Sequence, residues 1–136
     1  MRGLRLFVRP IEATDHADIA AFLERHPLSP ERDPGHTALP ACGLLGKLLG
    51  DIVALVWLEV AGDALRVENI VVAQDLRRKW IGRVMLREVE QLAAKLDCHH
   101  VVVEDPRGAQ EFFRRTGFER EGEGDRWIRR IENSVP

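Results

Sequence analysis

Between Leu65 and Val103 the chain runs a β-branched strand into a basic turn, then an amphipathic helix, then a second β-branched strand, and no other segment constrains the fold as much. The first strand ends on Val71-Val72, the turn carries Arg77-Arg78-Lys79, and Trp80-Ile81-Gly82 leads into the helix. Ile81, Met85, Val89, Leu92 and Leu96 recur at helical spacing, with Arg83, Arg87, Glu90 and Lys95 on other faces, which is the pattern of a helix with one apolar stripe. Val101-Val102-Val103 reads as a buried strand. Strands joined by such a crossover in one sheet run parallel, with a right-handed connection. The turn also has a chemical meaning. The first residues of a helix carry N–H groups with no intrahelical partner, and the macrodipole adds partial positive charge there, so a phosphate can sit on it.

The segments around this unit read as further sheet. Leu4 to Val8 is a first strand, and Thr14 or Asp15 supplies an N-cap to a short helix with Ile19, Phe22 and Leu23 on its apolar face. From Pro27 to Pro40 the prolines, with Ser29, Asp33 and Gly35, break both helix and strand and give a long surface loop. Gly43 to Leu49, Ile52 to Val60 and Leu65 to Val72 are three strands separated by Gly50-Asp51 and Ala61-Gly62-Asp63, turns short enough to require antiparallel neighbours. After Val103 a short helix closes on Gly117, and Phe118 to Glu121 with Arg126 to Ile131 form a terminal hairpin.

With 136 residues, the chain is expected to be one domain, residues 1–136, able to bury roughly two-thirds of its unfolded surface. No apolar run of membrane-spanning length and no basic-then-apolar leader is seen, so the expectation is a cytoplasmic protein without a membrane partner. A formal net charge of −2 argues against general nucleic-acid binding, which shows as a clear basic excess. Cys42 and Cys98 are too few for a disulfide framework and are expected as reduced thiols. His99 and His100 face opposite sides of a strand and lack a second ligand pair at metal-binding spacing, so no metal site is expected.

Two segments carry a resemblance. Arg77 to Gly82 resembles the Arg/Gln-x-x-Gly-x-Gly/Ala signature of the GCN5-related N-acetyltransferases (GNAT), with Trp80 at the middle glycine. Ala109-Gln110-Glu111-Phe112-Phe113-Arg114-Arg115-Thr116-Gly117-Phe118 resembles that family's Ala-x-x-Phe-Tyr-x-x-x-Gly-Phe, with Phe113 at the tyrosine. Arg9-Pro10 and Thr14 to Ile19 match the usual close of its first strand and start of its first helix. The resemblance implies an α/β fold of acyl-CoA N-acyltransferase type: a mixed, mostly antiparallel sheet flanked by helices on both faces, with the cofactor lying where two parallel strands diverge. It further implies acetyl-CoA as acyl donor, a small-molecule or peptide amine as acceptor, an acceptor cleft bordered by the proline-rich loop, and a homodimer through the terminal hairpin.

Carried onto these residues, the family's pyrophosphate contacts fall on the backbone of Arg78, Lys79, Trp80, Ile81 and Gly82, with Arg77 beside them. The pantetheine contacts fall on Val71 and Val72. Trp80 leaves three alternatives: a strained loop if the position demands glycine angles, an outward indole if it does not, or an indole stacked on adenine. For the base, Glu68 shares a strand face with Ile70 and Val72, and Glu59 and Glu104 are rivals. An ordinary solvated carboxylate on a strand is the commoner reading of such a position. The chain contains no tyrosine, so the tyrosine acid of many family members is excluded. Phe113 keeps the ring at that place in the cofactor site, and Pro106 replaces an asparagine often seen ahead of the helix. A thiol with pKa near about 8.5 leaves tolerably as thiolate, so the reaction survives without that acid.

Overall fold

A computed structural model describes residues 5–26, 42–73, 80–104, 106 and 109–131. Seven strands lie in the order β1-β2-β3-β4-β5-β7-β6. They are β1 (Phe7–Pro10), β2 (Gly43–Leu48), β3 (Asp51–Ala61), β4 (Ala64–Val72), β5 (His100–Glu104), β6 (Glu119–Arg120) and β7 (Arg126–Arg130). Three α-helices join them: α1 (His16–Arg25), α2 (Ile81–Lys95) and α3 (Gln110–Arg115). The expected mixed sheet is present. β1–β2, β2–β3, β5–β7 and β6–β7 pair antiparallel, and β4 and β5 pair parallel. The proline-rich loop expected from Pro27 to Pro40 lies outside the described residues.

The chain forms two compact units, and both β3 and β4 pass from one to the other. The first holds residues up to Trp57 together with Asn69–Met85. Ile52 to Val56 are all buried, the continuous apolar run of a strand covered on both faces. Gly46 on β2 lets the chain pass close to α2: a Cβ there would meet the Met85 sulfur at 2.9 Å. Leu4 of the expected first strand lies outside the described residues, and the strand runs Phe7–Pro10, with Arg5 and Leu6 outside it. Its register is set by pairing with Gly46 and Leu45, a long-range constraint that local alternation does not contain.

The capping expected at Thr14 or Asp15 takes a different form. Asp15 stands at the N-cap of α1, but its side chain makes no cap bond to that helix. It accepts two hydrogen bonds from Arg9, at 2.7 and 2.8 Å, and one from the Glu12 N–H at 2.7 Å. These bonds fasten β1 to the approach to α1 and leave Asp15 buried.

The second unit holds Leu58–Glu68 and Leu86 to the C-terminus. β5 is its centre, with Val101, Val102 and Val103 buried. The α2 stripe is confirmed at Val89, but Leu96 is exposed, while Leu86 and Ala93 are buried. The helix ends at Lys95, and Asp97 adopts a left-handed φ of 58° to turn the chain into β5, so Leu96 lies past the last helical residue and leaves the stripe. Arg129 of β7 pairs with Glu90 of α2 at 2.9 Å and donates to the Thr116 carbonyl at 3.1 Å. Gly117 has φ 99° and lies so close to the Arg129 guanidinium that a Cβ would overlap it, which accounts for the glycine that ends α3.

The Arg9–Asp15 pair generates a pH-dependent prediction. The Arg9 guanidinium, followed by the Glu12 N–H, holds the Asp15 carboxyl well below the usual carboxylate range. A depressed folded-state pKa gives stability that is present above the unfolded value of about 3.9 and lost as pH falls toward the folded one. Asp15→Asn is expected to lower unfolding free energy at pH 7 by about 2 kcal/mol. In urea titrations the gap between the two proteins closes as pH is lowered from about 5 toward about 2; a gap independent of pH would show that the charge is irrelevant.

Candidate active site

The turn into α2 is built on Trp80. Its carbonyl accepts the Val84 N–H at 3.0 Å, and α2 runs from Ile81, so the amides of Ile81, Gly82 and Arg83 belong to the first turn of the helix. Among the described residues, the non-glycine positions with positive φ are Leu49 and Asp97. Trp80 is 43% exposed, whereas Ile81 is buried. That exposure suits the outward and the stacked indole among the three alternatives for Trp80. Arg77, Arg78 and Lys79 lie outside the described residues.

Alternation along β4 sets the next group of candidates. Leu65, Val67, Asn69 and Val71 are buried, while Arg66, Glu68, Ile70 and Val72 stand on the less buried face. The Ala73 N–H donates to the Val53 carbonyl at 2.8 Å, tying the end of β4 to β3 within the first unit. The recorded ladder with β5 covers Ala64–Val67 against His100–Val103. β4 then continues through Glu68 to Val72.

The three carboxylates considered as bases converge on one cation. The Arg66 guanidinium makes its closest ion pair with Glu59 of β3, and lies 3.9 Å from Glu68 and 3.7 Å from Glu104 of β5. Each of these four side chains is between a third and slightly more than half exposed. Sequence reasoning missed Arg66. The available signal was parity: Arg66 precedes Glu68 by two residues on β4 and so shares its face. It also missed Asn69, a buried amide on an otherwise apolar face, whose Oδ1 accepts the Ile70 N–H at 2.9 Å.

Phe113, the second ring of the Phe-Phe pair, is fully buried. It meets Phe118 edge-on at 5.3 Å between ring centroids and lies 5.2 Å from Phe112. The ring thus packs within the second unit. Pro106 is buried too, and its carbonyl accepts the Ala109 N–H at 2.9 Å, starting the turn into α3. Trp127 is buried beneath Arg114, and Trp57 is half-buried. His99 is exposed and His100 is 3.9 Å from Asp63. Among the described residues no group of histidine, cysteine and carboxylate ligands is arranged to hold a metal. Cys42 and Cys98 are free thiols, and burial pushes the Cys98 thiol up. His36 lies outside the described residues.

A family model described as Acetyltransferase (GNAT) family matches residues 8–118. The chain belongs to the GNAT family. Within GNAT, solved structures share its fold at low identity. The ribosomal-protein-S18-alanine N-acetyltransferase of Escherichia coli superposes with a TM-score of 0.71 at 16% identity, covering 97% of this chain and 99% of that one. A GNAT family N-acetyltransferase from Escherichia coli, solved with CoA, gives 0.70 at 20% identity over 99% and 88% of the two chains. A GNAT family acetyltransferase from Brucella melitensis, solved with acetyl-CoA, gives 0.70 at 15% identity over 97% and 92%. A search of curated proteins found no match. At these identities the structural likeness concerns the fold alone. Among the described residues no helix is long and apolar enough to cross a membrane.

Proposed function

We propose that this GNAT protein is an acetyl-CoA-dependent N-acetyltransferase that acts on a primary amine by direct attack. The observations that support it most are the family match over residues 8–118 and the start of α2 at Ile81, whose first-turn amides fall on the family's diphosphate signature. In this proposal the pyrophosphate rests on the backbone from Arg78 to Gly82 with Arg77 alongside, and the exposed indole of Trp80 lies against adenine. The amide-rich pantetheine arm pairs with the main chain of Val71 and Val72. The family resemblance is what supports counting Phe113, packed against Phe118 in the second unit, among the cofactor residues. GNAT proteins solved with CoA or acetyl-CoA support the choice of donor.

The acceptor arrives as an ammonium and has to lose a proton before it can attack. Glu68, directly or through one water, takes it. The amine nitrogen then bonds to the thioester carbonyl carbon, the C–S bond breaks, CoA leaves as thiolate, and the nitrogen gives up its second proton to solvent to become the neutral amide. No side chain is required to protonate that sulfur, since the thiolate is stable near neutral pH and takes its proton from solvent. The products are the acetamide and CoA. The same proposal gives the protein a cytoplasmic setting, a small-molecule or peptide acceptor, no nucleic-acid or membrane partner, and a homodimer through β6 and β7; the family resemblance supports the dimer.

A second reading is a GNAT protein that binds acyl-CoA and does not turn it over. Phe113 and Pro106 favour it, because both remove a hydrogen-bonding group found at those places in the family. Thiol release from acetyl-CoA with a panel of amines separates the two, and turnover is the expected result. Glu68→Gln should lower kcat about a hundredfold with CoA affinity unchanged; an unaltered rate removes Glu68 from the mechanism. By calorimetry, Trp80→Ala should weaken CoA binding about three- to tenfold through loss of the stacked ring. Tighter binding would show instead that the indole obstructs the site.

A further inference from the structure

Resting on the transferase reading above, we propose that Arg66 is a positioning residue for proton removal, acting through Glu68. Three carboxylates surround its guanidinium, and it treats them unequally. Glu59 takes the close contact on one amino group of the fork. Glu68 lies 3.9 Å from that same group and Glu104 lies 3.7 Å from the other, both beyond the reach of a hydrogen bond. At those distances Arg66 does not occupy the carboxylate oxygens of Glu68 and Glu104.

A carboxylate that is to accept a proton needs an acceptor oxygen that no donor already occupies. It also needs a fixed direction, because a flexible side chain spreads its acceptor over many rotamers. Arg66 supplies direction without occupying the oxygens. Its bond to Glu59 anchors the guanidinium across β3 and β4, and the anchored charge draws Glu68 to one side of β4 while stopping short of bonding it. Arg66 precedes Glu68 by two residues, so both project from the same face of the strand. Glu59 is bound up by the contact and is unsuited to be the base. Arginine suits this task because its planar fork serves two sides at once, and its charge is permanent.

The test measures kcat and KM in the full chain with acetyl-CoA and the fastest acceptor among spermidine, an alanine-terminated peptide and a lysine-containing peptide. Arg66→Gln is expected to lower kcat about tenfold while the KM for acetyl-CoA stays within about twofold. Arg66→Lys should recover most of that loss. In a Glu68→Gln background, Arg66→Gln should cause no further loss, since the residue it positions is already disabled. An unchanged rate in Arg66→Gln, or a full tenfold loss on top of Glu68→Gln, overturns the assignment while the transferase reading stands. A fall in rate matched by a fall in melting temperature, with no rescue by lysine, also overturns it, because that marks a structural ion pair. If the wild-type chain turns over none of the three acceptors, the transferase reading fails and this proposal fails with it.

Discussion

Period-two alternation along β4 is the constraint on which the rest of the molecule depends. Leu65, Val67, Asn69 and Val71 go to the buried face, and Arg66, Glu68, Ile70 and Val72 to the other. A slip of one residue would exchange these sets, burying Arg66 and Glu68 and exposing four core positions. The register is held from the second unit by four parallel pairs with β5, from Ala64 to Val67, and beyond β4 by the Ala73 N–H bonded to Val53 in the first. Fixing the register therefore fixes three things together: which carboxylates face outward, which main-chain groups follow Glu68, and where the chain stands when it turns toward α2.

Local pattern was enough to recover most of this. The repeated spacing of four from Ile81 through Met85 to Val89 marked α2, and the valine run at Val101 to Val103 marked a buried strand. The parallel pairing of β4 with β5 followed from the length of the crossover. Where the pattern misled, a long-range contact decided. β1 begins at Phe7 because it pairs with β2. Leu96 drops out of the helical stripe because Asp97 turns the chain one residue later. The convergence of Glu59, Glu68 and Glu104 on Arg66 was illegible for the same reason, since the four residues come from three strands.

The departures from the family pattern are of two kinds. At Trp80 the sequence departs from the family's glycine, while main-chain amides are present whatever side chain they carry. At Phe113 and Pro106 a side-chain hydrogen-bonding group is absent. Both residues are buried, and the ring of Phe113 has become a packing element against Phe118. Functions carried by the main chain thus persist through substitution better than functions carried by a hydroxyl or an amide, and the proposed chemistry uses the former for the cofactor and a carboxylate for the proton.

The central claim is that the amides at the start of α2 grip a diphosphate beside an indole that does not obstruct them. A backbone-resolved NMR titration with CoA and, separately, with pantetheine tests it most directly. CoA should shift the amides of Ile81, Gly82 and Arg83 together with those of Val71 and Val72, while pantetheine, which lacks the diphosphate, should move Val71 and Val72 alone. Saturating CoA that leaves Ile81 to Arg83 unmoved would contradict the account.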